Sequence, residues 1–176
     1  MGRSRRQWGW HQLDRRWAER LVAESGVGRG DIVLDIGAGV GAITRHLVDT
    51  GAAVIAVERH PQRRALLRAR FGDRVTVIAA DAADLRLPRQ PFHVVANPPF
   101  AVTSALLRRL LQPGTNLLTA ALVLDERAVM RWAGPNAPAA SRWRRDFHLT
   151  ASARLPRDAF HPPPDVACRV LTVRRR

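Results

Sequence analysis

The sequence predicts an α/β fold built on a doubly wound, mostly parallel sheet, and three observations carry that prediction. Short, continuously apolar runs recur along the chain, and Val54-Ile55-Ala56-Val57 is typical. Stretches of helical period alternate with them. Each run breaks on glycine, proline, asparagine or an acidic residue. Strands that are apolar throughout are strands buried on both faces, which is the condition of a parallel sheet covered by helices on either side.

Taken in order, the first 16 residues mix Arg3, Arg5, Arg6, Arg15 and Arg16 with Trp8 and Trp10. They read as a basic arm leading into a helix over about 17–25, with one domain filling 17–176. Ile32-Val33-Leu34-Asp35 is a buried strand that ends in Gly37-Ala38-Gly39-Val40-Gly41, and a helix follows over 42–49. Val54 to Glu58 is the second strand. Residues 61–71 form a helix with proline in its first turn, where the missing N–H costs nothing. A third strand over 75–79 runs out at Asp81, and a fourth, Phe92-His93-Val94-Val95-Ala96, runs out at Asn97. Residues 104–111 are helical and 117–124 make a fifth strand. Residues 134–146, with Arg142, Arg144 and Arg145, read as an exposed basic loop. Strands near 148–155 and 168–174 complete the sheet.

A chain of 176 residues, 46% of them hydrophobic, suffices for one real core. The net charge of +14 is unusual, and all 29 basic residues are arginine. Such a balance favours a polyanionic partner such as nucleic acid. No apolar run approaches 18 residues and no signal-peptide pattern is visible, so no membrane association is expected. The single Cys168 excludes an internal disulfide and fits a reducing cytoplasm; in an apolar strand it reads as a small buried hydrophobe. The histidines show no metal-ligand spacing, and no metal site is expected.

The chemistry concentrates at the strand ends. In Asn97-Pro98-Pro99-Phe100 the prolines fix their own φ angles and Pro98 pushes Asn97 toward extended backbone. The result is a stiff turn that offers the Asn97 side-chain oxygen and the Pro98 carbonyl beside the face of Phe100. A flat ring bearing an exocyclic amine suits that receptor: the ring stacks while its NH2 donates twice. The glycine turn after Asp35 also satisfies a dinucleotide fingerprint, with Glu58 placed to accept from a ribose. Asp35 would oppose a pyrophosphate yet suit an amino group. Asp81 is placed to accept from an adenine amine, and hydride transfer has no use for the tetrapeptide. These features favour S-adenosylmethionine over a nicotinamide cofactor.

The chain resembles the ribosomal RNA adenine-N6 methyltransferases, and in particular the Erm-type enzymes that confer macrolide, lincosamide and streptogramin B resistance. The matching motifs are Asp35-Ile36-Gly37-Ala38-Gly39-Val40-Gly41, Glu58, Asp81-Ala82, Asn97-Pro98-Pro99-Phe100 and Phe160-His161-Pro162-Pro163-Pro164-Asp165-Val166. The last is similar to the family's Phe-x-Pro-x-Pro-x-Val segment. The resemblance implies a Rossmann-like class I S-adenosylmethionine-dependent methyltransferase with a mostly parallel seven-stranded sheet and helices on both faces. It implies that Phe100 stacks on a flipped adenine that Phe160 helps to hold, with Asn97 and Pro98 accepting from its amine. Asp35, Gly37, Gly39, Glu58, Asp81, Ala82 and Asn97 would surround S-adenosylmethionine. Trp10-His11-Gln12-Leu13 stands where the family carries a Gln-Asn-Phe-Leu segment, which implies that His11 or Trp10, together with Leu13, stands beside the cofactor. Asp125 stands where glutamine is usual.

The implied substrate is one adenine in the peptidyl-transferase region of 23S rRNA. The RNA would be naked or in an assembling large subunit, bound by a cytoplasmic monomer. By the same resemblance, the family's helical C-terminal domain is expected to be absent, as in the short mycobacterial members. Capture of RNA then falls to Arg3, Arg5 and Arg6 in the arm, Arg142, Arg144 and Arg145 in the loop, and Arg174 to Arg176. Looser target selection is expected as a result. Two other readings remain: a DNA or protein-amide N-methyltransferase using the same tetrapeptide, and a non-catalytic rRNA-binding assembly factor.

Overall fold

A computed structural model describes residues 11–176. The expectations placed on Arg3, Arg5, Arg6, Trp8 and Trp10 lie outside the described residues. Seven strands form one sheet in the order β4-β3-β2-β5-β6-β9-β7. They are β2 (Ile32–Ile36), β3 (Ala53–Val57), β4 (Val75–Ile78), β5 (Phe92–Ala96), β6 (Leu117–Asp125), β7 (Phe147–Leu155) and β9 (Cys168–Arg175). Only β9 runs against its neighbours, pairing antiparallel with both β6 and β7. The two remaining short strands, β1 (Gln12–Leu13) and β8 (Phe160–His161), pair with each other.

Side chains alternate between the two faces of the central strands. Leu34 and Ile36 of β2, Val94 and Ala96 of β5, and Leu122 and Leu124 of β6 enter one core. Val33, Val95, Ala121 and Val123 from the same strands enter the other. The first core is covered by α4 (Thr103–Leu110), α5 (Glu126–Ala133) and the short α6 (Ala140–Trp143). The second lies under α1 (Arg15–Ser25), α2 (Thr44–Asp49) and α3 (Pro61–Phe71). Burial on both faces is why these strands show no polar alternation in the sequence.

Several local features differ from expectation. The first helix starts at Arg15, where Asp14 accepts from the N–H of Arg16 at 2.9 Å and sets the N-terminus ahead of the expected Trp17. The second begins at Thr44 rather than Ala42. Residues 126–133 form a helix that the sequence reading left out. Asp125 creates it: its carboxylate accepts from the N–H of Arg127 at 2.7 Å, which gives this residue a capping role. The basic loop at 134–146 is folded inward rather than simply exposed. Trp143 is buried against Trp132, and its indole N–H donates to the carbonyl of Pro138 at 2.9 Å.

The chain winds from β2 through β3 to β4, then crosses back to place β5 on the other side of β2. This reversal opens a crevice beyond the carboxyl ends of β2 and β5, the usual ligand position in sheets of this kind. Gly37 leaves β2 there with φ of 77°, and a Cβ on it would stand 3.0 Å from Cδ of Pro99. A side chain at that position would push the glycine turn away from the turn after β5.

Candidate active site

Four strand ends converge on this crevice. Asp35 lies in β2, Glu58 follows β3, Asp81 follows β4 and Asn97 follows β5. A cavity of about 300 Å³ opens among them, lined by Glu58, Asp81, Ala82, Asn97, Pro98 and Phe100, with Val57, Ala80 and Val102 as apolar walls. A smaller cavity adjoins it, lined by Asp35, Leu13, Ala38 and Ile43. His11, Gly37 and Asn97 line both.

The glycine turn is closed by its own bonds. The N–H groups of Gly37 and Ala38 donate to the carbonyl of Val57 at 2.8 and 3.1 Å, and that of Gly41 to Ala38 at 2.9 Å. Gly39 donates to Oε2 of Glu58 at 2.8 Å. A phosphate cradle needs such amides aimed outward at the ligand, and here they are spent within the protein. Glu58 is buried, and its Oε1 accepts from the N–H of His60 at 2.8 Å. Each carboxylate oxygen keeps further acceptor capacity. Glu58 therefore both staples the turn and presents an anionic wall to the cavity.

Asp81 accepts from the N–H of Ala83 at 2.9 Å and pairs with Arg59 at 3.2 Å. Asp35 is 1% exposed and accepts from the Thr44 hydroxyl at 2.6 Å. Burial pushes its carboxyl up to about 7, against the opposing pull of Thr44. Three carboxyls line the two cavities beside a turn whose Gly37, Ala38, Gly39 and Gly41 amides are engaged within the protein. That arrangement favours a cationic or amine-bearing ligand over a phosphate, with Arg59 and Arg63 also on the wall. These features suit a cationic ligand of the size of S-adenosylmethionine better than a pyrophosphate.

Asn97 is oriented from behind. Its Nδ2 donates to the backbone carbonyl of His11 at 2.7 Å. That carbonyl can only accept, so the amide must present its NH2 there and turn Oδ1 the other way. The His11 ring lies at 20° to the Phe100 ring with centroids 6.0 Å apart. His11 Nδ1 meets the carbonyl of Pro162 at 2.8 Å.

Not every expected residue meets the cavity. Phe160, expected to hold a base, is 1% exposed and belongs to the second core, paired through β8 with Leu13. The aromatic segment holds the site together rather than lining it. Arg142, Arg144 and Arg145 sit near the start of β7, at the amino end of the sheet and away from the crevice. There Arg144 donates to the carbonyls of Gly134 and Pro135 at 2.6 and 2.7 Å, and Arg145 lies 3.7 Å from Asp146. Arg175 donates to the carbonyls of Leu117 and Thr115 at the same end. Arg59 and Arg63, which the sequence reading did not single out, do line the cavity. The signal for Arg59 was its place directly after Glu58 at a strand end. Cys168 is buried, and burial raises its thiol to about 11, as befits an unreactive core residue.

Known proteins resemble this chain in sequence and fold. The chain is 32% identical over 193 aligned residues to the ribosomal RNA small subunit methyltransferase A of Anaeromyxobacter sp. strain K, covering 96% of this chain and 66% of that one. It is 36% identical to the mycinamicin-resistance protein MyrB of Micromonospora griseorubida, over 82% of this chain and 47% of MyrB. Among solved structures it superposes on the 23S rRNA methyltransferase ErmE with a TM-score of 0.82 and 26% identity, over 93% of this chain and 69% of ErmE. The chain thus spans about two thirds or less of the length of these curated relatives. Residues 3–176 match the family described as ribosomal RNA adenine dimethylase, and the chain belongs to that family.

Proposed function

We propose that this chain transfers a methyl group from S-adenosylmethionine to N6 of an adenine in ribosomal RNA. The observation that carries the reading is the orientation of Asn97: with Nδ2 held by the His11 carbonyl, Oδ1 is the atom presented to an incoming amine. The donor would supply a methyl already activated on a sulfonium. An aromatic amine is a poor nucleophile because its lone pair is delocalised into the ring. Acceptance of its N–H groups by Asn97 Oδ1 and the Pro98 carbonyl favours the pyramidal, cationic nitrogen that forms during attack. That nitrogen sheds its proton readily, so no dedicated base is needed. Phe100 offers a stacking face to a base extruded from its helix, which offsets part of the few kcal/mol that extrusion costs.

The specific target we propose is an adenine in the peptidyl-transferase region of 23S rRNA, with resistance to macrolide, lincosamide and streptogramin B antibiotics as the consequence. The likeness to MyrB and ErmE supports it. A second reading has support of its own: relatives named for the small subunit align with 96% of the chain, which favours small-subunit rRNA instead. Expression in a macrolide-sensitive bacterium, with methylated adenines mapped in both rRNAs, separates the two. Resistance with a new N6-methyladenine in 23S rRNA is the expected result. A new modification confined to small-subunit rRNA would move the assignment there, and no rRNA methylation would overturn both.

No helix among the described residues is long and apolar enough to cross a membrane.

A further inference from the structure

We propose that His11 is the positioning residue of the catalytic turn, acting through Asn97 rather than by touching the target base, an inference that rests on the reading of Asn97 given above. Three contacts converge on this one residue. Its backbone carbonyl fixes the Asn97 amide at 2.7 Å. Its ring lies along Phe100, the other chemical element of the turn. Its Nδ1 meets the carbonyl of Pro162 at 2.8 Å, and because a carbonyl only accepts, Nδ1 carries the proton. The ring is thereby held between the turn after β5 and the segment after β8. Directly beyond it, Gln12 and Leu13 pair with His161 and Phe160, and the N–H of Asp14 donates to the carbonyl of Ala159 at 2.7 Å.

Among the described residues, His11 thus extends the ladder of contacts that runs from Asp14 to the cavity wall, and it is the member that meets Asn97. An isolated two-residue strand pair holds a backbone position loosely. The side chain of His11 supplies what that pair lacks, because its two ring contacts fix where its own carbonyl points. A primary amide free to rotate about its terminal torsion would present NH2 or oxygen to the amine with little preference. Anchored by the carbonyl, it presents oxygen. The place of His11 on the border of both cavities puts this control where the activated methyl and the amine would meet.

The test uses the full chain with asparagine labelled by ¹⁵N, since only Asn97, Asn116 and Asn136 then give side-chain NH2 signals. Asn97→Ala identifies the Asn97 pair. In His11→Ala that pair is expected to shift toward the position and averaging of a solvated amide. The kcat for adenine methylation is expected to fall by on the order of tenfold to a hundredfold. Affinity for S-adenosylhomocysteine, measured by calorimetry, is expected to fall by a clearly smaller factor than kcat, since His11 also lines the cavity. His11→Gln, which keeps a donor within reach of Pro162, is expected to recover part of both kcat and the signal. If His11→Ala loses its fold by circular dichroism, His11→Gln alone must show the intermediate signal and rate. An unchanged Asn97 signal, or a loss confined to ligand affinity, would overturn the proposal. A wild-type chain that methylates no adenine would sink the functional reading instead, while the Asn97 signal would still report on the anchor.

Discussion

Asn97 and Asp35 show how much one side chain can be asked to do when its surroundings fix its state. For Asn97→Ala, methyl transfer is expected to vanish while donor affinity, read by calorimetry, stays nearly intact, because Glu58, Asp81 and Asp35 hold their positions without it. Equal loss of both would assign Asn97 to the donor and not the amine. Asp35 makes a pH prediction. Its carboxyl ionises at about 7 in the fold against 3.8 in the unfolded chain. Between those values the unfolded state has released the proton and the folded state has not. The Asp35 contribution to stability therefore declines as pH rises from about 4 to about 7, and is flat above. His46 runs the opposite way: burial lowers its basicity, so its contribution is present above the ordinary histidine value of 6.5 and is lost as pH falls through and below that value. Comparing urea melts of the wild type and Asp35→Asn across pH 4–8 isolates the first effect. The two curves are expected to diverge most between pH 4 and 7, and parallel curves would place Asp35 in contact with water.

At the level of elements, the turn residues that end strands and start helices decide most of the architecture. Asp125→Ala removes the only side-chain cap of α5 and is expected to cost about 1 kcal/mol in chemical denaturation, with no change in donor affinity. An unaltered midpoint would mean that packing of Val129 and Trp132 holds that helix alone. Gly41 illustrates the same economy of space: its φ is 93°, and a Cβ there would stand 2.7 Å from the ring of Phe71. The central strands, the glycine turn and the 61–71 helix were legible in the sequence because each is written in adjacent residues. What escaped was non-local. Nothing in Gln12-Leu13 announces a partner at Phe160, and a two-residue strand has too few side chains to show a period. The 126–133 helix was hidden by the length of the apolar strand before it. Trp143 was overlooked among arginines, although a tryptophan inside a basic run is itself a sign that the run folds back on a core. The part of Phe160 beside a base is implied by the resemblance of its segment, whereas its burial in the second core is a matter of packing that adjacent residues do not show.

For the whole molecule the governing quantity is charge, and its placement matters as much as its sum. The candidate site carries three carboxyls within a protein of net charge +14. The carboxyls suit a small amine-bearing ligand, and Arg59 and Arg63 on the same wall join the cavity to the basic charge that suits a polyanion. RNA affinity is expected to fall steeply with salt, with a log–log slope set by the number of phosphates neutralised, whereas donor affinity should change little. Filter binding and calorimetry between 50 mM and 300 mM salt, roughly the range over which such contacts are lost, check both. A flat RNA curve would remove the arginines from that role. Because Arg144 and Arg175 are already engaged with backbone carbonyls at the far end of the sheet, substituting them is expected to lower stability more than RNA affinity.

The pairing of β1 with β8 also sets the order in which the molecule becomes competent. His11 and Pro162 are 151 positions apart in the chain, and closing so long a loop is among the slowest and entropically costliest steps available to it. The βα units that supply most of the donor cavity's wall close far shorter loops. Refolding should therefore pass through a species that binds S-adenosylhomocysteine before it can methylate. In native-state hydrogen exchange, the amides of Leu13 and Asp14 should open ahead of those of β2 and β5. Catalytic competence would then be gained last and lost first, on a clock separate from that of the core.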